Sequence, residues 1–120
     1  MATHRRTWQK YESRVCQRLG GDRRGADYSD GKVGKNDCVN TPGYSIEVKV
    51  WSRPSYQMML DEARRAEDHR EKPSDVPLAI VKRKGDLDND SLVIMRLETF
   101  EKTLKIKLRE RQLLKELGYD

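Results

Sequence analysis

The segment Ser45–Trp51 reads SIEVKVW, and it decides the fold of this chain because it joins a strand pattern to two charged residues. Apolar side chains at positions 46, 48 and 50 alternate with Glu47 and Lys49. Successive side chains of a strand point to opposite faces, so Glu47 and Lys49 share one face. The segment therefore predicts a strand that is apolar on one face and carries an acid beside a base on the other.

The residues just before this strand predict a hairpin. Thr41-Pro42-Gly43 is a turn sequence in which the glycine supplies the positive φ. A three-residue loop would pair Cys38 with Ile46 and Asp37 with Glu47, and directly opposed residues share a sheet face. This register places Asp37, Glu47 and Lys49 on one patch, whereas a loop one residue longer or shorter would separate them.

The rest of the chain predicts an α/β (α+β mixed) fold with a central mixed five-stranded sheet flanked by helices. The polar segment 22–36 is expected to hold one short strand and a loop. Periodic apolar residues predict three helices and two further strands covered on both faces, at 7–19, 55–70, 97–117, 77–82 and 91–96. We expect one domain over 1–120, with a core of about 7–108 and a helical extension over 109–120.

Charge is the main clue to a partner. The chain has 120 residues, 38% of them charged, and a net charge of +5. Residues 1–60 hold 11 Lys and Arg against 6 Asp and Glu, whereas residues 61–120 hold 14 of each sign. The whole positive excess therefore lies in the half that contains SIEVKVW, which favours a polyanionic partner such as DNA.

Cysteine use and hydropathy indicate the compartment. The two cysteines, Cys16 and Cys38, form no CxxC pair and no Cys/His cluster, which argues against structural zinc and favours a reducing intracellular setting. No apolar run approaches the roughly 20 residues of a membrane span, and the N-terminus lacks the apolar core of a signal peptide. We expect a cytoplasmic protein with no membrane partner and no small-molecule cofactor.

The acidic pair predicts a metal site. Asp37 and Glu47 would repel each other on a half-buried face unless a cation lies between them. Mg²⁺ typically takes one or two carboxylates in proteins, and the backbone carbonyl of Val48 could add a third oxygen. Lys49 would then stabilise negative charge that develops on a phosphate. The alternative is an ordinary cross-strand salt bridge on a solvated face, which stabilises by about 0–1 kcal/mol.

Two other motifs fail on their spacing. GKVGKN, residues 31–36, lacks the spacing and the final hydroxyl of a phosphate-binding P-loop. Asp86, Asp88 and Asp90 imitate the start of a calcium loop, but Ser91 and Leu97 stand where that loop needs Gly and Glu.

Asp37 followed by Glu47-Val48-Lys49 resembles the D-x(n)-[DE]-x-K signature of the restriction-endonuclease-like PD-(D/E)XK nucleases. With Glu12 in the first helix, residues 7–108 resemble the small archaeal and phage Holliday junction resolvases of that superfamily. The resemblance implies a homodimeric, Mg²⁺-dependent or Mn²⁺-dependent endonuclease that cuts four-way DNA junctions. The acidic connector DLDND and the helix beyond Leu108 depart from that pattern.

The resemblance also implies roles for single residues. Asp37 and Glu47 would hold the metal ion, Lys49 would be the catalytic lysine, and Glu12 would bind a metal-bound water or a second metal ion. Basic residues near the site would contact backbone phosphates, together with one serine near the scissile phosphate. This DNA-binding set is Arg5, Arg6, Arg23, Arg24, Ser29, Lys32, Lys35 and Arg53.

Two alternatives stay open at this point. One keeps the chemistry but widens the substrate to branched, end or duplex DNA. The other is a basic DNA-binding protein without catalysis, in which Glu47 and Lys49 form only a salt bridge.

Overall fold

The computed structural model describes residues 2–25 and 35–119, with side chains from Thr7 onward. No helix in these ranges is both long and apolar enough to cross a membrane. The helices and strands, in chain order, are α1 (Ala2–Arg18), β1 (Asp22–Arg23), β2 (Cys38–Val39), β3 (Tyr44–Trp51), α2 (Tyr56–Asp68), β4 (Val76–Arg83), β5 (Leu92–Ile94) and α3 (Leu97–Glu116).

The order of elements confirms the predicted mixed α/β arrangement, but the single five-stranded sheet is not found in the described part of the chain. The strands form two sheets instead. β1 and β2 pair antiparallel, while β3, β4 and β5 form a mixed sheet in which β3 and β4 are parallel and β5 is antiparallel to β4.

The predicted hairpin between β2 and β3 is the main correction. β3 pairs along its whole length with β4, so that Glu47 lies opposite Ala79. The two strands are connected by α2, and their parallel pairing buries both faces of β3 and β4. β2 has only two residues and offers β3 a much shorter ladder. One backbone bond still joins the two segments, although it is not a bond of the expected register: the Asp37 N–H donates to the Ile46 carbonyl at 2.9 Å. Asp37 therefore still lies beside β3.

The two faces of β3 pack against different helices. The even-numbered face joins α1 in the apolar core, whose members are Tyr11, Val15, Cys16, Cys38, Ile46, Val48, Leu78 and Ile80. The odd-numbered face lies under α2, since the Ser45 hydroxyl donates to the Ala66 carbonyl at 3.0 Å. Ala63 and Ala66 are buried there, and their small side chains let the helix approach the sheet.

The C-terminus of α1 is held tightly against β2. The helix begins at Ala2, earlier than predicted, so Thr7 lies inside it. It ends before Gly20, whose φ of 91° favours glycine, and a Cβ on Gly21 would clash with the Val39 carbonyl. Contrary to the expected reduced thiols, a disulfide joins Cys16 to Cys38. Disulfides persist in oxidising settings, so the cytoplasmic compartment stays a prediction.

The acidic connector after β4 ties α1 to the sheet. Asp88 accepts from Arg14 at 2.7 Å and from Lys82 at 3.0 Å. The Tyr11 hydroxyl lies 2.7 Å from the Ser91 hydroxyl, and the Lys82 ammonium lies over the Tyr11 ring. Asp88 is therefore a structural acid, and the arginine and lysine bonds hold the pKa of its carboxyl well below its usual range.

α2 begins where the sequence predicts. Ser55 caps it by accepting from the Met58 N–H at 3.2 Å. Its apolar residues are unevenly buried, because Tyr56 is 80% exposed whereas Ala63 and Ala66 are buried.

The C-terminal part of the chain departs most from the predicted burial. Leu92 and Val93 of β5 are exposed, although this strand was expected to be covered on both faces. α3 has no buried residue; its base is tied to α2 where Arg96 pairs with Glu67 at 2.6 Å. The radius of gyration is 15.9 Å, above the roughly 13.6 Å of a compact chain of this length. α3 therefore extends the molecule.

Candidate active site

The predicted site forms between β3, α1 and α2, and Asp37 lies beside β3 in this site. The Asp37 carboxylate accepts from the Val48 N–H at 2.7 Å. The N–H and C=O of one strand residue point to the same side, so the Val48 carbonyl lies on the same edge of β3 as Asp37. The loop before Asp37 is fixed by Arg24, whose guanidinium binds both the carbonyl and the side chain of Asn36.

Glu47 is a buried acid, only 2% exposed. Its carboxylate pairs with the imidazole Nδ1 of His69, the residue that caps the C-terminus of α2. Burial raises the pKa of Glu47 to about 9, and the neighbouring Asp37 carboxylate adds to the effect. The Asp37 carboxylate therefore disfavours negative charge on Glu47 unless a cation lies nearby.

Lys49 acts electrostatically on each buried glutamate of the cluster. Its ammonium opposes the raised pKa of each of three buried glutamates, Glu12, Glu47 and Glu62. The Asp37 carboxylate acts on the same three groups with the opposite sign. The alternation seen in SIEVKVW thus brings its acid and its base to one charged centre together with Asp37.

Glu12 joins this centre from α1. It is 3% exposed, and burial followed by the Asp37 carboxylate raises its pKa to about 7. The Arg23 Nε lies 3.1 Å from Glu12 Oε1, out of line for a hydrogen bond, so the contact is an ion pair. Glu12 Oε2 is buried with no hydrogen-bond partner among the described residues. One oxygen of Glu12 is therefore paired and the other faces the site unpaired.

Two residues of the site, Glu62 and His69, were missed by sequence reasoning. Both lie on α2, which covers the charged face of β3. Glu62 is 6% exposed, its Oε2 has no hydrogen-bond partner within the described ranges, and burial raises its pKa. The signal was present in the sequence, since Glu62, Ala66 and His69 stand at the i, i+4 and i+7 positions of one helix stripe.

The predicted DNA-binding residues divide into three groups. Arg23 and Arg24 are used inside the protein, by Glu12 and Asn36. Lys35 and Arg53 are exposed. Ser29 and Lys32 lie outside the described residues, as do the side chains of Arg5 and Arg6.

An open groove lies beside Glu12 on the outer side of α1. Its volume is about 540 Å³. Arg23, which pairs with Glu12, also lines this groove, so this arginine is shared by the groove and the acid cluster. Its lining residues are Gln9, Lys10, Ser13, Arg14 and Arg23.

The chemistry of the cluster fits a small divalent cation held by two carboxylates. Within residues 2–25 and 35–119, no three His, Cys, Asp or Glu side chains form a group that could hold a metal ion. Glu12 is therefore not gathered with Asp37 and Glu47 into one ligand set. Mg²⁺ needs only one or two carboxylates and keeps several waters, so Asp37, Glu47 and the Val48 carbonyl satisfy it. Glu12 Oε2 and Glu62 Oε2 are buried without a hydrogen-bond partner among the described residues, which further favours a cation at this site.

Comparison with protein-family models, curated proteins and solved structures finds no match to this chain.

Proposed function

We propose that this chain is a divalent-metal-dependent DNA endonuclease that cleaves phosphodiester bonds at four-way junctions. One observation carries the proposal: the buried Glu47 lies beside the Asp37 carboxylate, and Lys49 follows on the same face of β3. A protein that only needed a stable core would gain by replacing this cluster with apolar residues. Its retention in the middle of a buried strand favours a catalytic use.

Asp37, Glu47 and the Val48 carbonyl are the residues that would hold Mg²⁺ or Mn²⁺. The bound ion would supply charge neutralisation at the phosphate and would acidify a water molecule. The remaining tasks fall to the protein. The Val48 N–H keeps the Asp37 carboxylate against β3, and His69 fixes the orientation of Glu47.

Lys49 and Glu12 perform the charge and proton steps in this proposal. The Lys49 ammonium donates to a phosphate oxygen as negative charge grows on it. In hydrolysis a water oxygen forms a bond to phosphorus, one P–O ester bond breaks, and the leaving oxygen takes up a proton. Glu12 has a pKa of about 7, so its unpaired Oε2 exchanges a proton readily at neutral pH.

The DNA backbone is proposed to follow the groove on α1. Lys10 on its rim is exposed, and Arg23 joins the groove to the acid cluster. Exposed Lys35 and Arg53 extend the positive surface near the site. Contacts of this kind bind phosphates without reading bases, so binding should weaken steeply with salt.

Junction preference is proposed to come from a homodimer that holds two sites at a fixed separation. α3 supports this proposal, because Leu97, Phe100, Leu104 and Leu108 are all between 44% and 80% exposed. Monomeric proteins seldom expose so large an apolar surface. A symmetric pair of α3 helices would cover it and set two active sites for two opposed strands.

A basic DNA-binding protein without catalysis is the second candidate. It is favoured by the internal partners of two proposed catalytic acids, since Glu12 forms an ion pair with Arg23 and Glu47 forms a hydrogen bond with His69. In that case the cluster would bind no metal, and the groove would serve binding alone.

A cleavage assay separates these candidates. A synthetic four-way junction is incubated with the protein in Mg²⁺ or in EDTA, beside a linear duplex of the same sequence. We expect junction strands to be cut in Mg²⁺ and to stay intact in EDTA. Equal cutting of both substrates would leave a nuclease but remove the junction preference, and binding without any cutting in Mg²⁺ or Mn²⁺ would leave the second candidate.

A further inference from the structure

A chain of hydrogen bonds passes through Asn36, the residue before Asp37. It begins at Arg24, whose Nε donates to the Asn36 backbone carbonyl at 2.6 Å and whose Nη2 donates to the Asn36 side-chain oxygen. The Asn36 amide nitrogen donates to the Ser45 hydroxyl at 3.3 Å, and that hydroxyl donates to the Ala66 carbonyl at 3.0 Å. The chain therefore links the segment just before Asp37 to β3 and to α2.

Burial makes the Asn36 side chain dependent on these partners. Asn36 is 4% exposed, and Ser45 is fully buried. A buried amide costs free energy unless its oxygen and its nitrogen both find partners. The oxygen of Asn36 faces the guanidinium donor and its nitrogen faces the serine hydroxyl, so only one orientation of the amide satisfies both. The rigid fork of Arg24 grips two oxygens of this one residue, and Asn36 is therefore held in a single position.

The position of Asp37 follows from that of Asn36. The Asp37 N–H donates to the Ile46 carbonyl at 2.9 Å, and its carbonyl accepts from the Arg24 N–H at 2.7 Å. Its carboxylate accepts from the Val48 N–H at 2.7 Å. All three bonds require the backbone at 36–37 to stay close to β3. A shift of Asn36 would move the Asp37 backbone and take its carboxylate away from Val48.

We infer that Asn36, held by Arg24, is a positioning residue for Asp37. Asn36 acts through the Asp37 backbone and touches neither the metal ion nor DNA. Arg24, which the sequence predicts as a DNA contact, serves the acid site from inside the protein instead. The effect on the placement of Asp37 stands without the proposed function, whereas the effect on metal binding rests on it.

Amide hydrogen exchange tests the placement of Asp37 without metal or DNA. The Val48 N–H faces Asp37, whereas the N–H groups of Glu47 and Lys49 face β4 on the other edge of β3. In Asn36→Ala, exchange should rise about tenfold more at Val48 than at the other two amides, because one hydrogen bond is lost locally. An equal rise at all three amides would mean a general loss of stability and would overturn the inference, as would no rise at all.

Arg24→Ala is the second variant, and it decides the matter if Asn36→Ala does not fold. It removes the guanidinium, which is partly exposed, and keeps the backbone N–H. It should also raise exchange selectively at Val48, an effect that loss of a DNA contact would not produce in the absence of DNA. Arg64→Ala and Asn89→Ala remove exposed side chains of the same two types and should leave the exchange unchanged. Native exchange at Val48 in Arg24→Ala would show that Arg24 does not hold Asn36.

Metal affinity tests what this positioning does for the proposed site. Calorimetry with Mn²⁺ should show binding about 10–100-fold weaker in Asn36→Ala and Arg24→Ala, which is the loss typical of a residue that supports a ligand. The two exposed control variants should bind Mn²⁺ as the native chain does. Unchanged affinity in the site variants of a chain that binds Mn²⁺ would overturn the inference. If the native chain binds no Mn²⁺, the proposed metal site fails, and amide exchange alone decides whether Asn36 positions Asp37.

Discussion

Two regions of the molecule depart from the usual pattern, in which apolar residues are buried and charged residues are exposed. They are the interface between β3 and α2 and the exposed helix α3. Between β3 and α2, Glu47 and Glu62 are at most 6% exposed. On α3 and at its C-cap, no residue is buried and eight apolar residues are exposed. They are Leu97, Phe100, Leu104, Ile106, Leu108, Leu113, Leu114 and Leu117. One region hides charge and the other displays apolar surface.

The proposed function gives each region a partner, a metal ion for the acids and a second copy of the chain for α3. A buried acid cluster is stabilised by a cation, and an exposed apolar helix is stabilised by another apolar surface. The two partners differ in kind, since one is a small ion and the other a protein surface. Because the regions share few contacts, each can be altered without the other.

The largest expected effect is on catalysis. Asp37→Asn or Lys49→Ala should reduce junction cleavage at least about 100-fold, because each removes charge at the reacting phosphate or at the metal ion. The measurement is single-turnover cleavage, with junction affinity followed by gel shift. Asp61→Asn and Lys84→Ala change the same residue types at exposed positions and should cut normally; normal cutting by the site variants would show that the buried charge serves another purpose.

The next effect is on assembly. The native chain should sediment at twice its mass of 14.0 kDa, and Leu104→Glu should shift it to the monomer, because a charge would be buried in the paired helices. Leu87→Glu changes an exposed leucine in the connector after β4 and should leave the dimer intact. A native monomer at assay concentration would contradict the dimer on α3.

A smaller effect is on stability as a function of pH. The pKa of Glu12 rises to about 7 and that of Glu47 to about 9, both from an ordinary 4.5. Groups with a raised pKa stabilise the fold fully below the unfolded value, and this stability is lost as pH rises through the folded value. The metal-free melting temperature should therefore fall between pH 5 and pH 9.

Glu47→Gln should remove the part of this fall above pH 7, since the amide does not ionise. Glu98→Gln, on the exposed surface of α3, should retain the full fall. Thermal melts in EDTA at pH 5.5, 7 and 9 make the measurement, and a fall that persists unchanged in Glu47→Gln would show that Glu47 is not its source.

The smallest expected effect is stabilisation by metal. Mg²⁺ at millimolar concentration should raise the melting temperature of the native chain by a few degrees, since binding to the folded state alone stabilises it. Asp37→Asn should abolish the rise, while Leu104→Glu should keep it, because α3 plays no part in the ion site. A rise of equal size in Asp37→Asn would place the ion elsewhere.

The sequence was sufficient for features set by local pattern. The alternation in SIEVKVW predicted β3 and the common face of Glu47 and Lys49, and the helix predicted from residue 55 begins at Tyr56. These features depend on residues close together in the chain, where period and capping chemistry act.

The features that failed depend on distant pairing. β3 was assigned to the neighbouring β2, but its ladder partner is β4, 32 residues further along. Glu62 and His69 joined the site only because that pairing places α2 over the charged face. The exposure of Leu92 and Val93 was also missed, because an apolar run has the same pattern whether its partner is in the chain or outside it.

The disulfide between Cys16 and Cys38 has a consequence for how this chain can vary. Cys16 lies one helical turn after Glu12, and Cys38 directly follows Asp37. The span between these two carboxyl groups is therefore set by a covalent tether, independently of the intervening sequence. Insertions or deletions between residues 26 and 34 should therefore leave that span unaltered.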